Sequence, residues 1–562
     1  MRKGIGAALG GFVMVAVGTA GAEAYFADSE AFQVRGGAAS VILQVELGPV
    51  ETAIRNQLES ATAETERAQY DLDGVTAYYQ ARGYRPAWIE DGLLTDHALA
   101  AILRLGASAA DGLDPNAYVT PPADFGTDGQ SLTQWLAAAV APSVEEIAAA
   151  DIRMSLAVAT YAREAFSGRL DPRSIAHDID IDPVFPDTAA ALRAVITADD
   201  VAAALDAFNP THAGYIALRD ELARIRSGTA EELVMVPAGP SLRLGDEDER
   251  VEILRARLDV PAADAASVTV FDEAVDEAVR SFQSVAGLVT DGIVGPNTLT
   301  ALNGPDVDPE AEIIANMERW RWVPREFGEY YVNVNIPEFA VRIVDNGTIT
   351  HETRVVVGQR SNRTPMFSDE IEHLIVNPFW YVPASIVANE MMPILRSDPG
   401  YFVRNNFDVF ARWNGTVRQV NPYEVDWFQL TANQVSMRQR PGGGNALGRI
   451  KFMFPNHHAV YLHDTPSKSL FSRDVRAFSH GCVRVQDPFA FADALLSRTP
   501  DWNAERLESL FGNQERQVDL DNHIPVHLTY FTAVLGENGE IQFKNDIYGH
   551  SAVVRSRLGL EG

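Results

Sequence analysis

Two short stretches, Tyr461-Leu462-His463-Asp464-Thr465-Pro466 and Ser479-His480-Gly481-Cys482-Val483-Arg484-Val485, hold the residue types from which nucleophilic catalysis is assembled. Cys482 is the only cysteine in 562 residues. A thiol attacks as thiolate, and a free pKa of about 8.5 leaves little of it ionised at neutral pH, so a catalytic cysteine needs a base or a nearby cation. His480 precedes the thiol by two residues, and on an extended chain both side chains would point to one face. His463 has to be delivered by the fold, most simply from a neighbouring strand. We therefore favour His463 as the base, its tautomer fixed by the carbonyl of Asp464 or another nearby backbone oxygen. Gly481 permits close approach of backbone to substrate, and the N–H groups of Gly481 and Cys482 would face a developing oxyanion. Asp487-Pro488 and the apolar run Phe489 to Leu496 read as an N-cap, a proline at the first helical position and a helix, which sets Cys482 on a strand or turn just ahead of that helix.

His463, fifteen intervening residues and then Ser-His-Gly-Cys-Val-Arg resemble the signature of the YkuD-type L,D-transpeptidases, enzymes that make 3→3 cross-links in peptidoglycan. The resemblance implies Cys482 as nucleophile and His463 as base, with His480 and Arg484 shaping the pocket and Tyr461 as an oxyanion contact. Ser479, Gly481 and Asp464 complete the substrate and oxyanion candidates. No cofactor and no metal are assigned. In the papain-like and NlpC/P60-type peptidases the cysteine precedes the histidine along the chain; here the expected base comes first.

Two blander readings compete. A lone cysteine is most often a small buried hydrophobe, but an inert thiol has no need of a glycine and a histidine beside it. His457, His458, His463, His480 and Cys482 also invite a zinc site, yet their spacings match neither C-x-x-C nor H-E-x-x-H. His457 and His458 read instead as surface residues of a Pro-Asn turn.

The elements that must position these residues belong to a chain too long for one domain; its length predicts three or four. An apolar content of 46% is ordinary for globular protein, and a formal charge of -31 argues against a nucleic-acid partner. Met1-Arg2-Lys3, an uncharged run from Gly4 to Ala22 and Ala22-Glu23-Ala24 predict a secretory signal over 1–24, with an uncleaved inner-membrane anchor as the rival. Export to the periplasm makes an unpaired cysteine a liability unless it is used.

Residues 50–228 read as mainly helical, including runs Glu51 to Ala68, Asp96 to Leu105 and Met154 to Phe166, with Trp88 and Tyr161 as core packing. This segment is similar to the scaffold of the larger, YcbB-like transpeptidases. Thr229 to Pro240 serves as a linker. Residues 240–304 predict three helices, and the loop Asp291-Gly292-Ile293-Val294-Gly295-Pro296-Asn297-Thr298 resembles that of the three-helix peptidoglycan-binding module. Residues 311–550 turn β-rich, with strands expected at Tyr330 to Ile336, Ala340 to Val344, Thr353 to Val357 and His373 to Val376. Between about 384 and 440 the strand pattern lapses in an aromatic-rich insertion, read as a lid with a small independent subdomain as the alternative.

The expectation is thus a multidomain α+β protein: helical scaffold, three-helix binding module and a β-rich YkuD-type catalytic domain with a lid-like insertion. The resemblance implies a cysteine thioester mechanism on peptidoglycan stem peptides, with a tetrapeptide donor and a diaminopimelate acceptor, and acylation by carbapenems. Water or a protein amine as acceptor would make it an L,D-carboxypeptidase or an anchoring enzyme. A wall-binding structural protein with a decayed catalytic domain is the alternative from another class.

Overall fold

A computed structural model describes residues 47–125, 142–228, 234–304, 308–536 and 539–561, with the backbone of three short strands between Ala24 and Gln44. The expected leader lies outside the described residues except for the backbone of Ala24, as do the first residues of the expected linker, 229–233, and residues 537–538 of the last turn. No helix among the described residues is long and apolar enough to cross a membrane. The chain forms two compact units: Met1–Ser108, Asp114–Arg163 and Pro186–Phe208 make the first, and Ala109–Leu113, Glu164–Phe185 and Asn209–Gly562 the second.

The first unit is helical, with Pro49–Ser60, Glu66–Ala81, Asp96–Gly106, Thr188–Ile196, Val201–Asp206 and most of Val144–Ser167. The single helix expected from Glu51 to Ala68 is two, because Thr65 caps a new one by accepting from the Ala68 N–H. Trp88 and Tyr161 are fully buried. Buried Asp151 pins the loop before Trp88 by accepting from the N–H groups of Ala87, Trp88 and Ile89. A single carboxylate satisfying three buried donors replaces the secondary structure that the loop lacks.

In the second unit, helices Arg250–Leu258, Glu273–Val285 and Pro296–Asn303 close around Val251, Leu254, Val275, Val279 and Leu302. Gln283 staples their Asp291-Gly292-Ile293 loop, its amide donating to Asp291 Oδ1 and Ile293 O while its Oε1 accepts from Gly292 N. Asp474, from the segment between the two motif stretches, accepts from Val289 N and Asn297 Nδ2 of this module.

The β-rich part begins with β1 (Tyr330–Asn335), β2 (Ala340–Asp345), β3 (Thr348–Gly358) and β4 (Phe367–Val376). The insertion carries β5 (Trp380–Tyr381), β6 (Phe407–Trp413), β7 (Thr416–Val420) and β8 (Val435–Gln439). There follow β9 (Ile450–Met453), β10 (Leu462–His463), β11 (Ala477–Ser479), β12 (Val483–Val485) and β13 (Arg516–Thr529). Nine strands form one sheet in the order β11-β3-β12-β10-β9-β4-β13-β1-β2. The long β3 pairs with β2 through its first residues and with β12 through its last, so the pairings close into a circuit. Its interior is the main core, which includes Val332, Val334, Leu374, Phe452, Leu462, Val483 and Val485.

The lapse in strand pattern expected between 384 and 440 is corrected here: the insertion builds an antiparallel sheet in the order β5-β8-β6-β7. Its own core holds Val387, Leu395, Phe402, Val409, Ala411 and Trp427. Short strands interrupted by turns carry too few alternations to register as a period in the sequence.

Candidate active site

The two motif stretches meet because β10 and β12 lie side by side in parallel, Leu462 opposite Val483 and His463 opposite Arg484. A parallel neighbour requires a long crossover, and the chain from Asp464 to Cys482 supplies it. Leu462, Val483 and Val485 are fully buried on the core side. Alternation then sends His463 and Arg484 to the opposite face, joined by Tyr461 and Cys482 one step back on each strand. Lys451 of β9, paired with His463, belongs to that same face. One side of three adjacent strands thus gathers a thiol, an imidazole, a phenol and two cations.

The turn carrying the thiol is tied down by buried hydrogen bonds. Ser479 Oγ donates to the carbonyl of Cys482 and accepts from the Gly481 N–H. Thr364 Oγ1 donates to Gly481 O at 2.7 Å and accepts from Gly358 N at 2.8 Å. Gly481 has φ +115°, a conformation that side chains rarely adopt, while a Cβ there would meet nothing closer than 3.5 Å. The backbone, not crowding, requires the glycine. Two sequence expectations change. The chain through Gly481 is not extended, so alternation does not assign His480 to the face of the thiol; it is exposed and its Nε2 lies 2.7 Å from Glu390 Oε1 of the insertion. The Gly481 N–H is spent on Ser479, which leaves the Cys482 N–H as the donor this turn can offer an oxyanion.

His463 Nδ1 lies 2.5 Å from the Asp464 carbonyl, which only accepts, so the ring proton sits on Nδ1 and Nε2 is the free base. The Asp464 carboxylate serves the loops instead, accepting from Arg449 N, Thr465 N and Lys468 Nζ. Burial, then the charges of Arg484 and Lys451, push the imidazole down to about 3. It is neutral at physiological pH.

Cys482 is partly exposed and its Sγ points at the Ala459 carbonyl, 3.8 Å away. Burial raises its thiol, opposed by the backbone N–H and hydroxyl of Tyr461 and by the Arg484 and Lys451 charges. Burial and the neighbouring sulfur push the Tyr461 phenol far up, so it stays a donor. The Lys451 ammonium stands 5.3 Å over the Tyr461 ring, and the Arg484 Nε is buried without a partner. Sequence reasoning missed Thr364 and Lys451. Thr364 sits in a turn more than a hundred residues before the motif, where only the β3–β11 pairing would find it.

Three family models match successive parts of the chain: "Scaffold domain" at 73–222, "Putative peptidoglycan binding domain" at 248–302 and "L,D-transpeptidase catalytic domain" at 329–501. A Haemophilus influenzae protein named "Putative L,D-transpeptidase" is 34% identical over 241 residues, 42% of this chain and 48% of that protein. The chain thus spans about half the length of that curated relative. Among solved structures, an L,D-transpeptidase of Xylanimonas cellulosilytica is 16% identical, over 52% of this chain and 99% of that one, with a TM-score of 0.19. An L,D-transpeptidase from Mycobacterium smegmatis is 14% identical over 36% of this chain and 58% of that one, with a TM-score of 0.18. The chain carries, in order, a scaffold domain, a peptidoglycan-binding domain and a YkuD L,D-transpeptidase catalytic domain.

Proposed function

We propose that this protein is a peptidoglycan L,D-transpeptidase that forms 3→3 cross-links through a thioester on Cys482. The observation that supports this most is the shared face of Tyr461, His463, Cys482 and Arg484 on the parallel pair β10 and β12. The Cys482 sulfur attacks the carbonyl at the L-centre of diaminopimelate in a tetrapeptide stem, its proton passing to the neutral His463. The developing oxyanion is met by the Cys482 N–H and the Tyr461 hydroxyl. As the C–N bond breaks, the departing D-alanine amine takes the proton from His463. The side-chain amine of diaminopimelate on a second stem then attacks the thioester and gives up a proton to His463; the C–S bond breaks and the sulfur is restored. Arg484 and Lys451 supply positive charge beside a substrate rich in carboxylates.

The binding module, held to the catalytic domain through Asp474, would keep a glycan strand close to this face. The basic start and apolar run of the leader support export to the periplasm, where this substrate lies. Supplying a defined tetrapeptide donor with a separate diaminopimelate-containing acceptor tests the reading: 3→3 dimers are expected by mass spectrometry. Release of D-alanine with only tripeptide formed would make the enzyme a carboxypeptidase. No release at all would remove the catalytic reading.

A further inference from the structure

Away from the thiol, a second cluster forms between chain segments far apart in sequence. Asp180 Oδ2 lies 3.0 Å from His457 Nε2 and 2.9 Å from His458 Nε2. The sequence places both histidines on the surface of a turn; the His457 side chain is 75% exposed, while that of His458 is 20% exposed and Asp180 19%.

The cluster is built rather than accidental. The Asp180 N–H donates to the Met366 carbonyl, next to a parallel bridge between Ile179 and Met366. His458 packs on the following residue, Phe367, with ring centroids 5.1 Å apart. The same short stretch of backbone therefore fixes both the carboxylate and one imidazole. Arg173 Nη2 donates to Asp180 Oδ1 at 2.7 Å, which orients the carboxylate and leaves Oδ2 to the histidines. The two imidazole rings lie with centroids 4.0 Å apart.

We propose that Asp180, His457 and His458 bind one divalent transition-metal ion of the zinc class. The three ligand atoms lie within 4.8 Å of one another. Zinc bonds to nitrogen and carboxylate oxygen run about 2.0–2.2 Å, which sets tetrahedral ligand atoms about 3.4 Å apart. The Asp180 oxygen, at 3.0 and 2.9 Å from the two imidazole nitrogens, needs only a small outward shift to reach that separation. Two neutral imidazoles and one carboxylate suit zinc, cobalt or nickel rather than calcium or magnesium, which take oxygen ligands. Three protein ligands leave one position open to water. The Arg173 hydrogen bond on the second carboxylate oxygen is the kind of outer contact that orients a ligating group. His458 is followed by Ala459, a residue with φ +55° whose carbonyl faces the Cys482 sulfur. The ion would therefore brace the turn that borders the thiol.

The test is titration of the full-length, tag-free, metal-stripped protein with ZnCl2 by calorimetry and with CoCl2 by visible absorption, alongside His457→Gln and Asp180→Asn. One equivalent of zinc is expected, with cobalt bands of a low-coordinate N/O site and a thermal midpoint that rises with added zinc. His457→Gln touches an exposed side chain and should fold normally, yet weaken zinc at least about 10-fold and abolish the thermal shift; Asp180→Asn should do the same. No stoichiometric uptake, or uptake that survives both substitutions, overturns the proposal and leaves two imidazole N–H groups donating to one carboxylate.

Discussion

At the turn that carries Cys482, the tethers are buried: Ser479 holds one carbonyl and one N–H, Thr364 holds the neighbouring carbonyl, and both side chains are within 2% of complete burial. The insertion meets that same turn through His480 and Glu390, whose side chains are 36% and 46% exposed. Buried hydrogen bonds whose loss strands a polar group cost about 1–3 kcal/mol each, whereas an exposed ion pair is worth about 0–1 kcal/mol. The turn that carries Cys482 is thus over-determined, and its contact with the insertion is lightly held. The insertion keeps its fold through its own core, and Glu390 stands on a π-helical turn, Val387–Met391, a geometry common at functional sites.

The difference can be attacked from the rigid side first. His463→Asn removes the base and leaves the strands in place; thioester formation should slow by about 10²–10⁴-fold in a stopped-flow acylation assay, with an unchanged circular dichroism spectrum. Thr364→Val strands both Gly481 O and Gly358 N, so stability should fall by about 1–3 kcal/mol in urea and acylation by about 10²-fold, as a shifted nucleophile would give. An undiminished rate in that variant would mean the turn is held without Thr364.

Proton linkage gives a subtler effect. Burial holds His463 neutral down to about 3 and His212 down to about 4. Both titrate near 6.5 once the chain unfolds, so the unfolded state binds more protons below that pH. Stability should be greatest above about 6.5 and decline as the pH falls towards 3, by at most about 1.4 kcal/mol per pH unit for each group. His463→Asn should flatten part of that slope in urea titrations at a series of pH values. On the yielding side, Glu390→Gln should leave stability within about 1 kcal/mol and the rate of thiol alkylation by iodoacetamide unchanged, while altering KM for the tetrapeptide donor. A large loss of alkylation would show the insertion to be part of the support of the Cys482 turn.

The same contrast explains what was legible in the sequence. The candidate site residues stand in two short blocks, and the Asp487-Pro488 signal ahead of Pro488–Leu495 appears where the pattern put it, while the strands expected at Thr353 to Val357 and His373 to Val376 begin earlier, at Thr348 and Phe367. Misreadings arose where tertiary geometry overrides local pattern. For His480 the alternation rule assumes an extended chain, and the φ of Gly481 removes that condition. Thr364, Lys451 and Asp180 gain their roles only from pairings between distant strands and bridges. The insertion, made of brief strands and single helical turns, offered no period long enough to read.

The central claim, that Cys482 is a nucleophile poised as a neutral thiol beside a neutral imidazole, is tested most directly by intact-mass measurement of carbapenem adducts across pH. One adduct per chain is expected, absent in Cys482→Ala, forming at a rate that holds from neutral pH down past about 6 and falls only as His463 protonates towards about 3. A rate that falls away with an apparent pKa of about 6.5 would contradict it, since that needs an imidazole of ordinary basicity, and an adduct surviving in Cys482→Ala would place the nucleophile elsewhere.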